Sequence, residues 1–419
     1  MGNWQLKGAK VLRGPDCDSN RRPTVVHLVH SLEGGGTERT LLRLLQKWNS
    51  EGLDGPSQSA QPRAAVPLLH PAVQHRVVTL RAAGELSIDL PDGVACFALN
   101  APRRSWTAGL KLARYLRQTR ADVLHARNTG CWADAVVAGV RCPCTRTVLG
   151  FHGLDHNGGF ALRDRAVARF AVSRGARFTA VSQTGRSRLV REIGVPENRV
   201  QVLPNGVDAP LFSSGSRSRD QVRRDLGIPA DALTIVAVGS LTPVKRYDLL
   251  LSAVAELADR IPALHVLLVG DGPLRDSLMR QAERLGIRSR VHFAGQCPEV
   301  AEPLHASDIF VSCSDSEGMS NAVLEAMATG LGVVATRAGD NPILLRHEVD
   351  GLIIPCDSTT ALARALDRLC RSEDERKRLG ESARQRSLTF CFDRTAEQYE
   401  EFYREYCDPN ARGAAWAAR

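Results

Sequence analysis

Two glutamates, Glu317 and Glu325, stand eight positions apart in the run Ser-Asp-Ser-Glu-Gly-Met-Ser-Asn-Ala-Val-Leu-Glu-Ala-Met-Ala, residues 314–328. A β-type stretch, Ile309–Cys313, precedes the first acid, and Gly318 follows it at once. A helical pattern then runs from Asn321 to Thr329, with Gly330 as its stop. Glu317 therefore falls on a strand-to-helix loop and Glu325 in the first turns of the helix. That edge of a parallel sheet is where open α/β folds bind ligands. The backbone N–H groups of Met319, Ser320 and Asn321 would face an anion at the helix start. Carboxylates repel a phosphate, but they accept hydrogen bonds from neutral hydroxyls on either side of it. A nucleotide sugar has that order: sugar hydroxyls, diphosphate, ribose diol. Alone, two such acids are usually a solvated loop acid and an exposed helix acid, so the surrounding motifs carry the decision.

Lys245 follows a strand and the turn-like Thr242-Pro243, where its point charge suits a diphosphate. By itself it reads as a solvated surface lysine. His152 ends the apolar run Val148–Phe151 and precedes Gly153, at a strand end that favours a place in the cleft over a core or capping role. His125 stands at a similar strand end. Gly34, Gly35 and Gly36 lie between a strand and a helix, where backbone can approach a ligand without a Cβ. The triplet matches neither G-x-G-x-x-G nor G-x-x-x-x-G-K-[ST]. Ser182, Asn205 and Asp208 read as turn and cap residues. No D-x-D stands near a strand end, and Cys142 and Cys144 form a lone C-x-C, so no metal site is expected.

The Glu317–Glu325 segment resembles the E-x7-E motif of the retaining GT-B glycosyltransferases of family 4. The likeness runs from about Val25 to Tyr406, with other landmarks in family order. They are the glycine loop at 27–39, strand ends at 122–128, 151–154 and 178–182, the hinge Pro-Asn-Gly-Val-Asp at 204–208, and phosphate-side loops at 238–248 and 268–274. The resemblance implies two Rossmann-like α/β domains facing across a cleft. It assigns Glu317, Lys245 and His152 to catalysis, His152 on the acceptor side near the transferred sugar. It assigns Glu325 to the donor ribose, with Gly318, Met319, Ser320, Asn321, Arg246, Gly239 and Gly295 also binding donor. Gly34, Gly35 and Gly36 become an acceptor or phosphate loop. One departure concerns the diphosphate: the family arginine five positions before the lysine is Ser240 here, and Arg246 is its expected replacement.

The implied reaction moves a hexosyl or N-acetylhexosaminyl group from a UDP- or GDP-linked donor to a hydroxyl, with retention. The acceptor would be a glycan or lipid-linked saccharide. The donor is a substrate, and no cofactor is implied. A nucleotide-sugar epimerase and a non-catalytic sugar-binding module on the same fold are the alternatives.

Bulk properties agree with a cytoplasmic enzyme. The chain has 419 residues, more than one core usually supports, with 43% hydrophobic and 24% charged residues. Eleven scattered cysteines suit a reducing compartment, and Met1 to Trp4 lacks a secretory apolar core. The formal charge of +9 raises the question of an anionic partner. Arg103, Arg104, Arg114, Arg117 and Arg120 interleave with Trp106, Leu110, Leu112 and Leu116. A helix over Ser105–Thr119 would be basic and amphipathic, fit for peripheral contact with an anionic membrane or for an ordinary place flanking the sheet. Nucleic acid is not expected, because no binding signature is present and aromatics make up only 5%.

The organisation read from the pattern is a disordered basic tail at 1–22 and an N-terminal acceptor domain at 23–208, with an inserted loop at 49–74. A linker at 209–232 leads to a donor domain at 233–390. A terminal helix at 391–408 crosses back to the first domain, and a tail follows at 409–419. Expected first-domain elements include a strand at Val25–Val29 and a helix at Thr40–Trp48. In the second domain, strands are expected at Leu233–Val238, Leu264–Val269, Val291–Ala294, Ile309–Cys313 and Gly332–Thr336.

Overall fold

The computed structural model describes residues 21–50, 73–102, 107–153 and 159–407. The expected N-terminal tail up to 20, the insertion at 51–72, the tail from 408, and the residues Arg103, Arg104, Ser105, Trp106 and Leu154 lie outside the described residues.

The first domain holds β1 (Thr24–Val29), β2 (Gln74–Thr79), β3 (Ala95–Ala98), β4 (Val123–Ala126), β5 (Arg146–Phe151), β6 (Arg177–Ala180) and β7 (Val200–Val202). The second holds β8 (Leu233–Val238), β9 (Leu264–Val269), β10 (Val291–Gly295), β11 (Ile309–Ser312), β12 (Gly332–Thr336) and β13 (Leu352–Ile354). Sheet orders are β3-β2-β1-β4-β5-β6-β7 and β10-β9-β8-β11-β12-β13. The ladders are parallel: Val26 of β1 lies between Arg76 and Leu124, and Ile235 of β8 between Val266 and Ile309. Each order reverses beside its first strand, so a crevice opens at the carboxyl ends of β1 and β4 and of β8 and β11. The strands form because their runs are apolar on both faces, as helices on each side demand: all six residues of β1 are buried.

Helix boundaries show where tertiary contacts override local pattern. The first helix runs Gly36–Ser50, not Thr40–Trp48, so Gly36 is its first residue rather than part of the loop. Leu41, Leu44, Leu45 and Trp48 form its buried face. The expected linker is not an open connector. It contains helices Ala209–Ser213 and Arg219–Asp225, pinned to the second domain. Arg223, only 2% exposed, bonds Asp308 at 3.1 Å and the Ala306 carbonyl at 2.9 Å, and Arg219 reaches Asp308 at 2.6 Å. The polar run Ser213–Ser218 gave no sign of these distant partners.

The basic helix is Thr107–Gln118. Its apolar side, Ala108, Leu112, Ala113 and Leu116, is spent on the core of the first domain. Lys111, Arg114, Arg117 and Arg120 remain exposed. Its amphipathicity therefore serves the core first, and only charge is left for an outside partner.

The terminal helix Phe392–Cys407 packs on the first domain, where Tyr399, Phe402, Tyr403 and Tyr406 join Val25, Leu41 and Trp48 in one core. Beneath it lies a buried polar cluster. His27 meets His75 at 3.0 Å, and His125 is bonded by Tyr403 at 2.6 Å and Thr179 at 3.0 Å. His125 is thus a packing residue under the terminal helix. Arg127, fully buried, lies 4.8 Å from the Tyr399 ring centroid. Burial first, then the Arg127 charge, holds these imidazoles neutral and pushes His75 down to about 3.

An acid dependence follows. His75 has a folded pKa near 3 against 6.5 when unfolded, so between those values the unfolded chain binds more protons. Stability is therefore complete above pH 6.5 and falls as pH drops toward 3. At pH 5 the cost from His75 is about 2 kcal/mol. Urea unfolding at pH 5 and 7.5 should show this loss, and His75→Gln should shrink the difference between the two pH values. An equal difference in both proteins would remove His75 as its source.

Candidate active site

The facing walls of the cleft are built from the loops that leave the strands. After β8 the chain passes Gly239 and Ser240 into the short turn Pro243–Lys245. After β11 it runs through Ser314 and Glu317 to Ser320, whose hydroxyl caps helix Asn321–Thr329 by accepting from Val323 N at 3.4 Å. This places Met319, Ser320 and Asn321 at a helix N-terminus beside Glu317.

Lys245 Nζ donates to Glu317 Oε1 at 2.6 Å, and the Ser314 hydroxyl donates to the same oxygen at 2.6 Å. The two residues expected in catalysis are therefore one ion pair, with side chains 23% and 12% exposed. Gly239, at φ +149°, lies under this lysine stem: a Cβ there would come within 3.3 Å of Lys245 Cε. Arg246 differs from its expected role. Its guanidinium is balanced by Asp248 at 3.2 Å, Asp315 at 2.9 Å and Asp357 at 2.7 Å, so it is not a free charge beside Lys245. Two of those acids lie far away in sequence, which is why the local reading missed them.

Glu325 is buried on the second turn of its helix, and its partner comes from the other domain: Arg43 Nη1 donates to Oε1 at 3.2 Å. Burial pushes the Glu325 pKa up, and Arg43 opposes it. Arg39, one turn earlier, donates to Gly34 O at 3.2 Å and reaches the carbonyls of Cys297 at 3.2 Å and Pro298 at 3.3 Å, just after Gly295. Neither arginine was singled out in the sequence. Their i, i+4 spacing on the polar side of the first helix was the available signal.

His152 stands where β5 ends. Burial and then Arg127 lower its pKa to about 3, so its imidazole is neutral near pH 7. Its carbonyl faces Gly318 so closely that a Cβ on Gly318 would collide with it. A Cβ on Gly153 would lie 3.2 Å from Gly318 N. Further bonds join the walls. Asn321 donates to Thr40 Oγ1 at 3.0 Å, and a Cβ at Gly36 would lie 3.7 Å from the Asn321 amide nitrogen. Asn205 donates to Met319 O at 2.9 Å, a cross-domain bond rather than a turn contact. The Asp340 carboxylate accepts from Gln183 N at 3.0 Å and Thr184 N at 3.2 Å. Ser182 caps the same short helix through Gly185 N at 2.8 Å. Gly34, at φ +97°, faces Gln296 across the cleft, and Gly35 sits over the Glu38 carboxylate.

The site thus sets two glutamates on either side of a helix N-terminus, one paired with a lysine and one with an arginine. Residues 218–386 match the family model "Glycosyl transferases group 1", and residues 68–210 match "Glycosyltransferase Family 4". Among curated proteins, the D-inositol 3-phosphate glycosyltransferase of Corynebacterium glutamicum is 34% identical over 226 residues, covering 52% of this chain and 54% of that protein. The N-acetyl-alpha-D-glucosaminyl L-malate synthase of Bacillus anthracis is 29% identical, covering 56% and 61%. The chain spans about half the length of the first of these relatives and somewhat more of the second. Among solved structures, Anabaena HepE in complex with UDP and glucose superposes with a TM-score of 0.76 at 21% identity, covering 91% of this chain and 100% of that one. WaaG, a glycosyltransferase involved in lipopolysaccharide biosynthesis, gives a TM-score of 0.69 at 19% identity, covering 90% and 99%. These likenesses establish the GT-B fold, and since the two models together span most of the chain, it belongs to the group 1, family 4 glycosyltransferases.

Proposed function

We propose that the chain transfers a hexosyl or N-acetylhexosaminyl group from a nucleotide-diphosphate sugar to a hydroxyl, with retention of anomeric configuration. The observation that carries this reading is the pair Glu317 and Glu325 on either side of the amides of Met319, Ser320 and Asn321, with Lys245 bonded to Glu317. The amides and Lys245 receive the diphosphate, where charge grows as the bond to the sugar breaks. Glu317, acceptor-only when ionised, orients the sugar hydroxyls, and Glu325 takes the ribose diol. Gly239 and Gly295 let backbone pass close to the donor.

Retention is assigned to same-face attack. Glu317 already accepts from Lys245 and Ser314, which suits an orienting group better than a nucleophile. The departing diphosphate accepts the acceptor proton in this scheme. His152, neutral near pH 7, serves as a hydrogen-bonding group on the acceptor side and not as an acid. The donor is a substrate, UDP- or GDP-linked, and no cofactor enters the scheme.

The acceptor is a saccharide or lipid-linked saccharide, bound mainly by the first domain. Among the described residues no helix is long and apolar enough to cross a membrane. The exposed row Lys111, Arg114, Arg117 and Arg120 supports peripheral contact with an anionic membrane at its cytoplasmic face.

Three measurements test the reading. Incubation with UDP- and GDP-sugars and an acceptor panel that includes inositol 3-phosphate and L-malate should release free nucleotide diphosphate. Sugar interconversion would instead indicate an epimerase, and binding without turnover a sugar-binding module. Lys245→Ala should lower kcat as well as raise KM, because its charge matters most while the diphosphate leaves. A normal kcat would reduce Lys245 to uniform binding. In flotation assays the protein should bind anionic but not neutral vesicles, and high salt should reverse it. Changing Arg114, Arg117 and Arg120 together to Gln should weaken binding, at about 1 kcal/mol per charge. Equal binding to both vesicle types, or to neither, would return the helix to a core-packing role alone.

A further inference from the structure

We propose that Arg39 and Arg43 form a clamp that completes the nucleoside side of the donor site from the opposite domain. The clamp rests on the donor assignment above and adds two residues that assignment does not contain. Both arginines stand on helix Gly36–Ser50, whose core face is Leu41, Leu44, Leu45 and Trp48. Four residues apart, they share its other face. Each reaches a different part of the second domain.

Arg43 acts through Glu325. That glutamate is 8% exposed, and a buried carboxylate without a counter-charge is costly to keep ionised. Arg43 supplies the charge at 3.2 Å on Oε1. The Arg43 guanidinium also lies 5.8 Å from the ring centroid of Phe212, which is buried on the second domain. Oε2 is then the oxygen left for a sugar diol. An ionised carboxylate is acceptor-only, the form that two ribose hydroxyls require. Removing Arg43 would leave Glu325 either protonated or badly solvated.

Arg39 ties two loops together. Its Nε holds Gly34 O of the glycine loop, while its terminal nitrogens hold the carbonyls of Cys297 and Pro298 after β10. One side chain therefore bridges the glycine loop and the loop after β10 that follows the donor-binding Gly295. A guanidinium keeps its charge at any assay pH and presents several donors in one plane, which suits a bridge to three carbonyls. These contacts exist only while the walls meet. Donor binding and closure then share free energy, so each favours the other.

The test uses the full chain and calorimetric titration with UDP and with GDP. Whichever nucleotide the wild type binds, Arg43→Met should weaken it about tenfold, the usual cost of a lost charge-assisted contact. Arg43→Lys should recover part of the loss. Because Arg43 acts through Glu325, Arg43→Met combined with Glu325→Ala should bind no more weakly than Glu325→Ala alone. In the wild type, nucleotide should slow amide exchange across residues 36–50, and Arg39→Met should lose that protection while its thermal midpoint stays near wild type. Unchanged nucleotide affinity in Arg43→Met overturns the clamp, as does a further tenfold loss in the double variant. Retained protection in Arg39→Met overturns the bridge. If the wild type binds neither nucleotide, the donor assignment and the clamp fall together. If it binds and the variants match it, only the clamp fails.

Discussion

The approach of Gly318 to the His152 carbonyl governs the cleft, because only a hydrogen fits between them. A Cβ at 318 would stand too close to that oxygen for any ordinary contact, so the walls would have to move apart. Bonds such as Asn205 to Met319 O and Asn321 to Thr40 span about 3 Å and tolerate no such gap. The Lys245–Glu317 pair sits next to Gly318 with side chains 23% and 12% exposed, and Coulomb attraction grows as water leaves. The spacing of the two walls thus depends on one close backbone approach between the domains.

The two glutamates of the motif have different electrostatic surroundings. Glu317 is matched by a lysine and a hydroxyl from its own domain. Glu325 is buried, and its counter-charge comes from across the cleft. A carboxylate whose partner stands on the other domain links its chemistry to domain position. Arg246 shows a third outcome. Three acids balance its charge, which leaves Lys245 and the helix N-terminus to meet a diphosphate.

The terminal helix packs on the first domain. It seals a polar core of His27, His75, His125 and Arg127 beneath Tyr399 and Tyr403. Burying an arginine without a carboxylate is expensive, and among the described residues none is paired with Arg127. The Tyr399 ring and the neutral imidazoles offset part of that cost. The helix is held by aromatic packing as well, with Trp48 stacked on His75 at 4.3 Å and donating to Ala396 O at 3.3 Å.

Local chemistry determined the elements. Leu233–Val238, Leu264–Val269, Gly332–Thr336 and helix Asn321–Thr329 have the bounds their patterns imply, because parallel strands read as continuous apolar runs and Gly330 ends the helix in the left-handed conformation. The order of motifs likewise gave the two-domain fold and placed Glu317, Lys245 and Glu325. Tertiary structure decided the pairings. Glu325 and Arg43 are 282 residues apart in the chain, and Arg246 and Asp315 are 69 apart. Hydrophobic periodicity reports which face of an element is buried and says nothing of which distant charge will meet it. The helices at 209–225, the early start of the first helix at Gly36 and the packing role of His125 were hidden for the same reason: their stability comes from partners that only the folded chain brings within reach.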